Sequence, residues 1–171
     1  LEADVAIVGS GAGGGTTAEI LSAAGYKVLL IEEGPLKTSS DFKLLENEAY
    51  ASLYQEGVGR MSKDGAITIM QGRAVGGTTL INWTSSFRTP EPTLQHWADA
   101  HGVKGHSAAD MAPWFEKMEQ RLGVAPWAMP PNANNQVIKD GCEKLGYAWH
   151  IIPRNVRGCW NLGYCGMGCP V

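Results

Sequence analysis

Near the start of the chain, V-G-S-G-A-G-G-G sets Gly9, Gly11 and Gly14 in the spacing G-x-G-x-x-G. Each glycine suits the approach of a phosphate. The first permits a tight turn. The second has no side chain, so a pyrophosphate can reach the backbone. The third lets a following helix pack on the preceding strand. The helix start then offers free N–H groups and a positive dipole end. Glu32 follows eighteen residues after Gly14. A carboxylate there accepts hydrogen bonds from the adenosine ribose and disfavours the 2′-phosphate of NADP. The expected ligand is a dinucleotide. The motif does not separate NAD from FAD, because both carry the same ADP half. An empty structural turn is the plainer alternative.

A second glycine-rich stretch, Q-G-R-A-V-G-G-T-T-L-I-N, spans Gln71 to Asn82. Gly76 and Gly77 would let backbone approach a ligand where a side chain would collide. A helix start around Gly77 to Leu80 would turn a positive dipole end toward negative charge. Taken alone, a turn and a helix start explain the stretch without any ligand.

The elements that must position these loops read as a β-α-β unit. Asp4 to Val8 and Lys27 to Ile31 are short apolar runs of buried-strand type, and Gly13 to Ala24 between them is helical with Gly25 as its stop. That order implies a parallel pair with a right-handed crossover. Residues 35–65 read as an irregular insertion, with a helix between Asp41 and Tyr54. Ala66 to Met70 reads as a strand and Thr89 to Pro92 as a turn. Ser107 is an N-cap. Met111, Trp114, Phe115, Met118 and Leu122 then recur at helical spacing and are expected to pack in the core. Pro126 to Asn135 reads as a loop, Gln136 to Leu145 as a helix and Tyr147 to Ile152 as a strand.

The chain has 171 residues, 44% apolar and 18% charged, with a net charge of -3. This fits a globular domain rather than a disordered chain or a nucleic-acid surface. Its 22 glycines exceed the roughly 7% of average proteins. Leu1 to Asp4 leads straight into a strand pattern, with neither a basic start nor a cleavage site, which leans toward the cytoplasm. No apolar run approaches the roughly 20 residues of a membrane span.

The stretch Gly72-Arg73-Ala74-Val75-Gly76-Gly77-Thr78-Thr79-Leu80-Ile81-Asn82 resembles the signature G-R-x-L/V-G-G-S/T-S/T-x-x-N of the glucose–methanol–choline (GMC) oxidoreductases. The opening D-V-A-I-V-G-S-G-A-G-G-G…V-L-L-I-E-E-G is similar to that family's opening. Trp114-Phe115 followed by Glu119 is similar to its P-Y/W-F-x-x-x-E stretch. The resemblance covers essentially the whole chain, about the first third of a typical member. It implies an α/β fold with a Rossmann-like FAD-binding core, helical additions and a parallel sheet, the substrate domain lying mostly elsewhere. The whole of 1–171 is then the FAD-binding portion.

The implied cofactor is FAD, held by Gly9, Ser10, Gly11, Ala12, Gly14, Glu32 and Glu33 at the ADP end. Arg73, Gly76, Gly77, Thr78, Asn82, Trp83, Thr84 and Ser85 would serve its pyrophosphate and flavin end. Ile81 stands where some members tether the flavin through histidine, so no tether is expected there. The implied reaction is oxidation of an alcohol, sugar or sterol CH–OH by hydride transfer to flavin N5, with an acceptor the sequence does not name. The family's catalytic histidine lies C-terminal to the matching residues. His96, His101, His106 and His150 fall in no catalytic motif, and no catalytic residue is assigned.

Cys159, Cys165 and Cys169 crowd a Cys/Gly-rich loop over residues 155–171. It reads as reduced thiols beside the flavin or substrate channel, with an iron–sulfur cluster, a disulfide or zinc as alternatives. Cys142 reads as buried packing on a helix. Competing functions are a flavin-binding fragment without turnover, a hydroxynitrile-lyase-like member using FAD structurally, and a NAD-dependent dehydrogenase.

Overall fold

The computed structural model describes residues 2–171, which divide into two compact units. The first runs up to Trp83 and is joined by Leu162–Val171; the second is Thr84–Asn161.

In the first unit, β1 (Val5–Val8) and β2 (Val28–Ile31) flank α1 (Ala12–Ala23). The strands pair parallel, Val5 opposite Val28 through Val8 opposite Ile31. Each is a four-residue apolar run, mostly β-branched or leucine, which favours the pleated conformation. Asp4 Oδ2 accepts the Lys27 N–H at 2.7 Å and fixes the start of the pair. Gly9 N–H donates to Ile31 O at 2.7 Å and closes its end. Among the described residues the sheet has these two strands. Parallel sheets are ordinarily covered on both faces, yet Val8 is 85% exposed and Ile31 48%.

The packed core of this unit lies elsewhere. It joins Ala49 and Leu53 of α2 (Glu46–Leu53) to Tyr54 and Ile81, with Phe42, Tyr50, Leu80 and Met167 against them. The Tyr50 and Tyr54 rings meet edge-to-face at 5.6 Å. Residues 53–55 run beside 71–73, Gln55 N–H donating to Gln71 O and Arg73 N–H to Leu53 O. That pairing delivers the chain from the core to the second glycine loop. Residues 66–70 are not a strand. Ile69 N–H bonds Arg60 O and Ser62 N–H bonds Ile67 O around a single Met61–Thr68 bridge, and Gly65 turns the chain too tightly for a longer ladder.

The second unit is mostly helical: α3 (Glu91–His101), α4 (Ala108–Leu122) and α5 (Ala133–Leu145). The turn expected at Thr89 to Pro92 is the entry to α3, because proline is tolerated in a first helical turn whose N–H groups lack partners anyway. Ser107 caps α4 as expected. Its hydroxyl accepts Asp110 N–H while Asp110 accepts from Ser107 N–H. The apolar stripe of α4 is not a sealed core: Trp114 is 61% exposed and Leu122 43%. Asn132 caps α5, where Cys142 is half-buried.

The only ladder of this unit among the described residues pairs β3 (Val124–Pro126) with β4 (Pro153–Asn155) antiparallel. The strand therefore falls C-terminal to the expected Tyr147 to Ile152. Arg154 lies over the Trp127 ring at 4.4 Å and donates to Thr84 Oγ1 at 2.7 Å, anchoring β4 instead. No helix among the described residues is long and apolar enough to cross a membrane.

Candidate functional site

β1 runs into Gly9, whose φ of +91° is open to glycine and strained for other residues. α1 starts three residues later. A Cβ on Gly14 would stand 1.9 Å from Gly9 O, so the third glycine is fixed by the approach of helix to turn. Gly11 is different. Its φ is an ordinary -64°, and a Cβ there would meet no protein atom within 4 Å. Nothing in the protein's own packing requires glycine at that position.

Ser10 between them is buried, 8% exposed. Its N–H and its hydroxyl both donate to Glu32 Oε2, at 2.8 and 2.6 Å. Gly34 N–H donates to Glu32 Oε1 at 2.8 Å. These donors favour the charged carboxylate, the Ser10 hydroxyl most, and hold the Glu32 pKa down at about 2. Glu32 is thus an ionised, oriented acceptor at the tip of β2.

The second loop packs directly on the first. Gly76 N–H donates to Ser10 Oγ at 2.8 Å. A Cβ on Gly77 would lie 3.0 Å from Gly11 Cα, and one on Gly34 would lie 2.3 Å from Ala74 N. Val75 N–H donates to Pro35 O. Within the loop, Gly72 N–H donates to Thr78 Oγ1 at 3.0 Å, and the Asn82 side chain donates to Thr78 O and Thr79 O. The expected helix start is one 3-10 turn, Gly77–Thr79. A single turn aligns too few peptides to build a macrodipole, so that part of the expectation falls away.

Gly9, Ser10, Gly11, Gly14, Glu32, Gly76, Gly77 and Thr78 therefore come together at the end of the parallel pair, with Ala12 opening α1 beside them. Glu33 and Arg73 pair with each other at 3.4 Å, and Gln55 donates to Glu33 as well. Trp83 is half-exposed and lies against the tail, where a Cβ on Gly166 would meet its ring at 2.5 Å. Thr84 and Ser85 belong to the second unit. Sequence reasoning missed Gly34 and the fully buried Ala74, which make the loop-to-loop contact. The glycine directly after the acidic pair was the available signal.

Gly168 packs on the Phe42 ring, and Tyr54 donates to Gly166 O, so residues 162–171 are bound into the first unit. Cys142, Cys159, Cys165 and Cys169 form no disulfide with one another. No cluster of three or more His, Cys, Asp or Glu among the described residues is arranged to hold a metal ion. A separate cleft of about 370 Å³ is bounded by Lys37, Phe42, Leu44, Ala49, Leu53 and Met167; none of the loop residues lines it.

The family profile described as GMC oxidoreductase matches residues 50–171. A long-chain-alcohol oxidase of Arabidopsis thaliana is 36% identical over 99% of this chain and 23% of its own length. An uncharacterized GMC-type oxidoreductase of Mycobacterium tuberculosis is 35% identical over 98% of this chain and 27% of its own. The crystal structure of pyridoxine 4-oxidase from Mesorbium loti aligns with a TM-score of 0.49 at 26% identity, covering 66% of this chain and 24% of that one. The chain thus spans about a quarter of the length of the curated relatives it matches.

Proposed function

Because the chain belongs to the GMC oxidoreductase family, we propose that its first unit holds FAD where the two glycine loops meet, in an oxidoreductase acting on an alcohol. The carrying observation is the open face at Gly11, a glycine the protein's own packing does not require, beside the oriented carboxylate of Glu32. The residues fit the group. Gly9, Gly11 and the first turn of α1 would receive the pyrophosphate. Glu32, ionised far below neutral pH, would accept from the adenosine ribose hydroxyls. Gly76, Gly77 and Thr78 would present backbone to the flavin end. Bound FAD would supply a hydride acceptor.

The long-chain-alcohol oxidase relatives favour an alcohol CH–OH as the group oxidised. The residues described here bind and orient. None is assigned as the base that takes the hydroxyl proton, and the four histidines all lie in the second unit. We therefore read 1–171 as the FAD-binding portion of a longer enzyme, its first unit holding the cofactor, with turnover belonging to a protein of its relatives' length.

An absorption spectrum of the purified chain supplied with FAD and desalted tests the reading, repeated on the supernatant after denaturation. Flavin bands that pass into the supernatant are expected. A colourless desalted protein contradicts the proposal.

A further inference from the structure

We propose that Ser10 is a positioning residue that makes the two glycine loops one binding element, so that the loop serving the flavin end is held ready by the loop serving the ADP end. This deepens the FAD reading and rests on it. The geometry gives one direction only. An ionised carboxylate can only accept, so at 2.6 Å the Ser10 hydroxyl donates its single proton to Glu32 Oε2. The same oxygen then has lone pairs for the Gly76 N–H at 2.8 Å. The result is a chain from Gly76 N–H through Ser10 Oγ–H to the Glu32 carboxylate. In such a chain each bond polarises the next.

Ser10 is 8% exposed, so bulk water has little access to replace its hydroxyl. The two ends depend on that hydroxyl unequally. Glu32 keeps two further donors, the N–H groups of Ser10 and Gly34. The Gly76 N–H has the Ser10 oxygen as its partner. Gly76 sits at φ +97° and leads into the turn at Gly77–Thr79, where Gly77 touches Gly11. Removing the hydroxyl should therefore leave the ADP end nearly intact and release the flavin end.

The test compares FAD and ADP binding to the wild-type chain and to Ser10→Ala by calorimetric titration. The expected result is a loss of about tenfold for FAD and less than about threefold for ADP, from one hydrogen bond lost at one end of the ligand. A residue that merely supports the fold would weaken both ligands alike, and that result overturns the proposal. So does unchanged FAD affinity in a variant whose wild type binds FAD. A wild-type chain that binds neither ligand overturns the cofactor reading itself. Amide exchange at Gly76 in the ligand-free wild type needs no variant. Protection is expected, and exchange at the rate of an exposed loop amide overturns the tether.

Discussion

Gly77 and Gly11 meet backbone to backbone: a Cβ on Gly77 would stand 3.0 Å from Gly11 Cα. The sixty-odd residues between the loops thus form an excursion that returns the chain to the end of β1. Gly77 also sits at φ +54°. Gly77→Ala adds backbone strain to a contact with little room, and should cost about 1–3 kcal/mol. Urea unfolding of the purified chain measures this. An unchanged midpoint would show that the loops are not in contact.

Gly14→Ala should be more severe. Its Cβ would fall 1.9 Å from a backbone oxygen, which cannot swing aside as a side chain can. The start of α1 must shift or unwind, at a cost of about 2 kcal/mol or more. Loss of helical circular dichroism, or of soluble expression, would report it. A variant as stable as wild type would contradict the helix-to-turn approach.

Glu32 sets an acid limit. Its carboxylate is lowered from 4.5 to about 2 in the folded chain, chiefly by the Ser10 hydroxyl. A depressed carboxylate stabilises the fold fully above its unfolded pKa, and that stabilisation is lost as pH falls through the folded value. The contribution should therefore fade between about pH 5 and pH 2. Asp41, Asp64, Asp110 and Glu119 are lowered too, so the chain as a whole weakens in acid. Unfolding midpoints of wild type and Glu32→Gln across that range isolate the share of Glu32. The two should converge toward pH 2. A constant gap would contradict the assignment.

Ser107→Ala serves as a control in the second unit. It removes the hydroxyl that accepts Asp110 N–H at the start of α4, and should cost about 1 kcal/mol of stability. FAD affinity should stay unchanged, because both glycine loops belong to the first unit and Ser107 does not. A parallel loss of FAD binding would show that the second unit takes part in holding the cofactor.

Much of the first unit was legible because its signals are local. The two apolar runs, the glycine spacing and Glu32 lie within thirty-two residues, and β1, α1 and β2 follow them closely. Ser107 was equally readable, since a cap and its partner are three residues apart. Long-range partners were not. Nothing in the order of residues says that Ser10 would bond Gly76, or that Gly34 would abut Ala74. The α4 stripe shows the opposite failure. Its helical period is real, but period alone says which residues share a face and not whether that face is covered, and Trp114 stands 61% exposed. The ladder of β3 and β4 escaped because three-residue strands containing proline carry no alternation to read.

Gly11→Ala separates a cofactor site from a structural turn. Its Cβ would meet no protein atom within 4 Å and its φ suits alanine, so the fold should stand unchanged. Titrating FAD into wild type and variant, with flavin fluorescence as the signal, should show one site in the wild type and a loss of at least about tenfold in the variant. The unfolding midpoints should agree within about 0.5 kcal/mol. Equal FAD affinity in the two chains would mean that the open face at Gly11 is not where the cofactor lies.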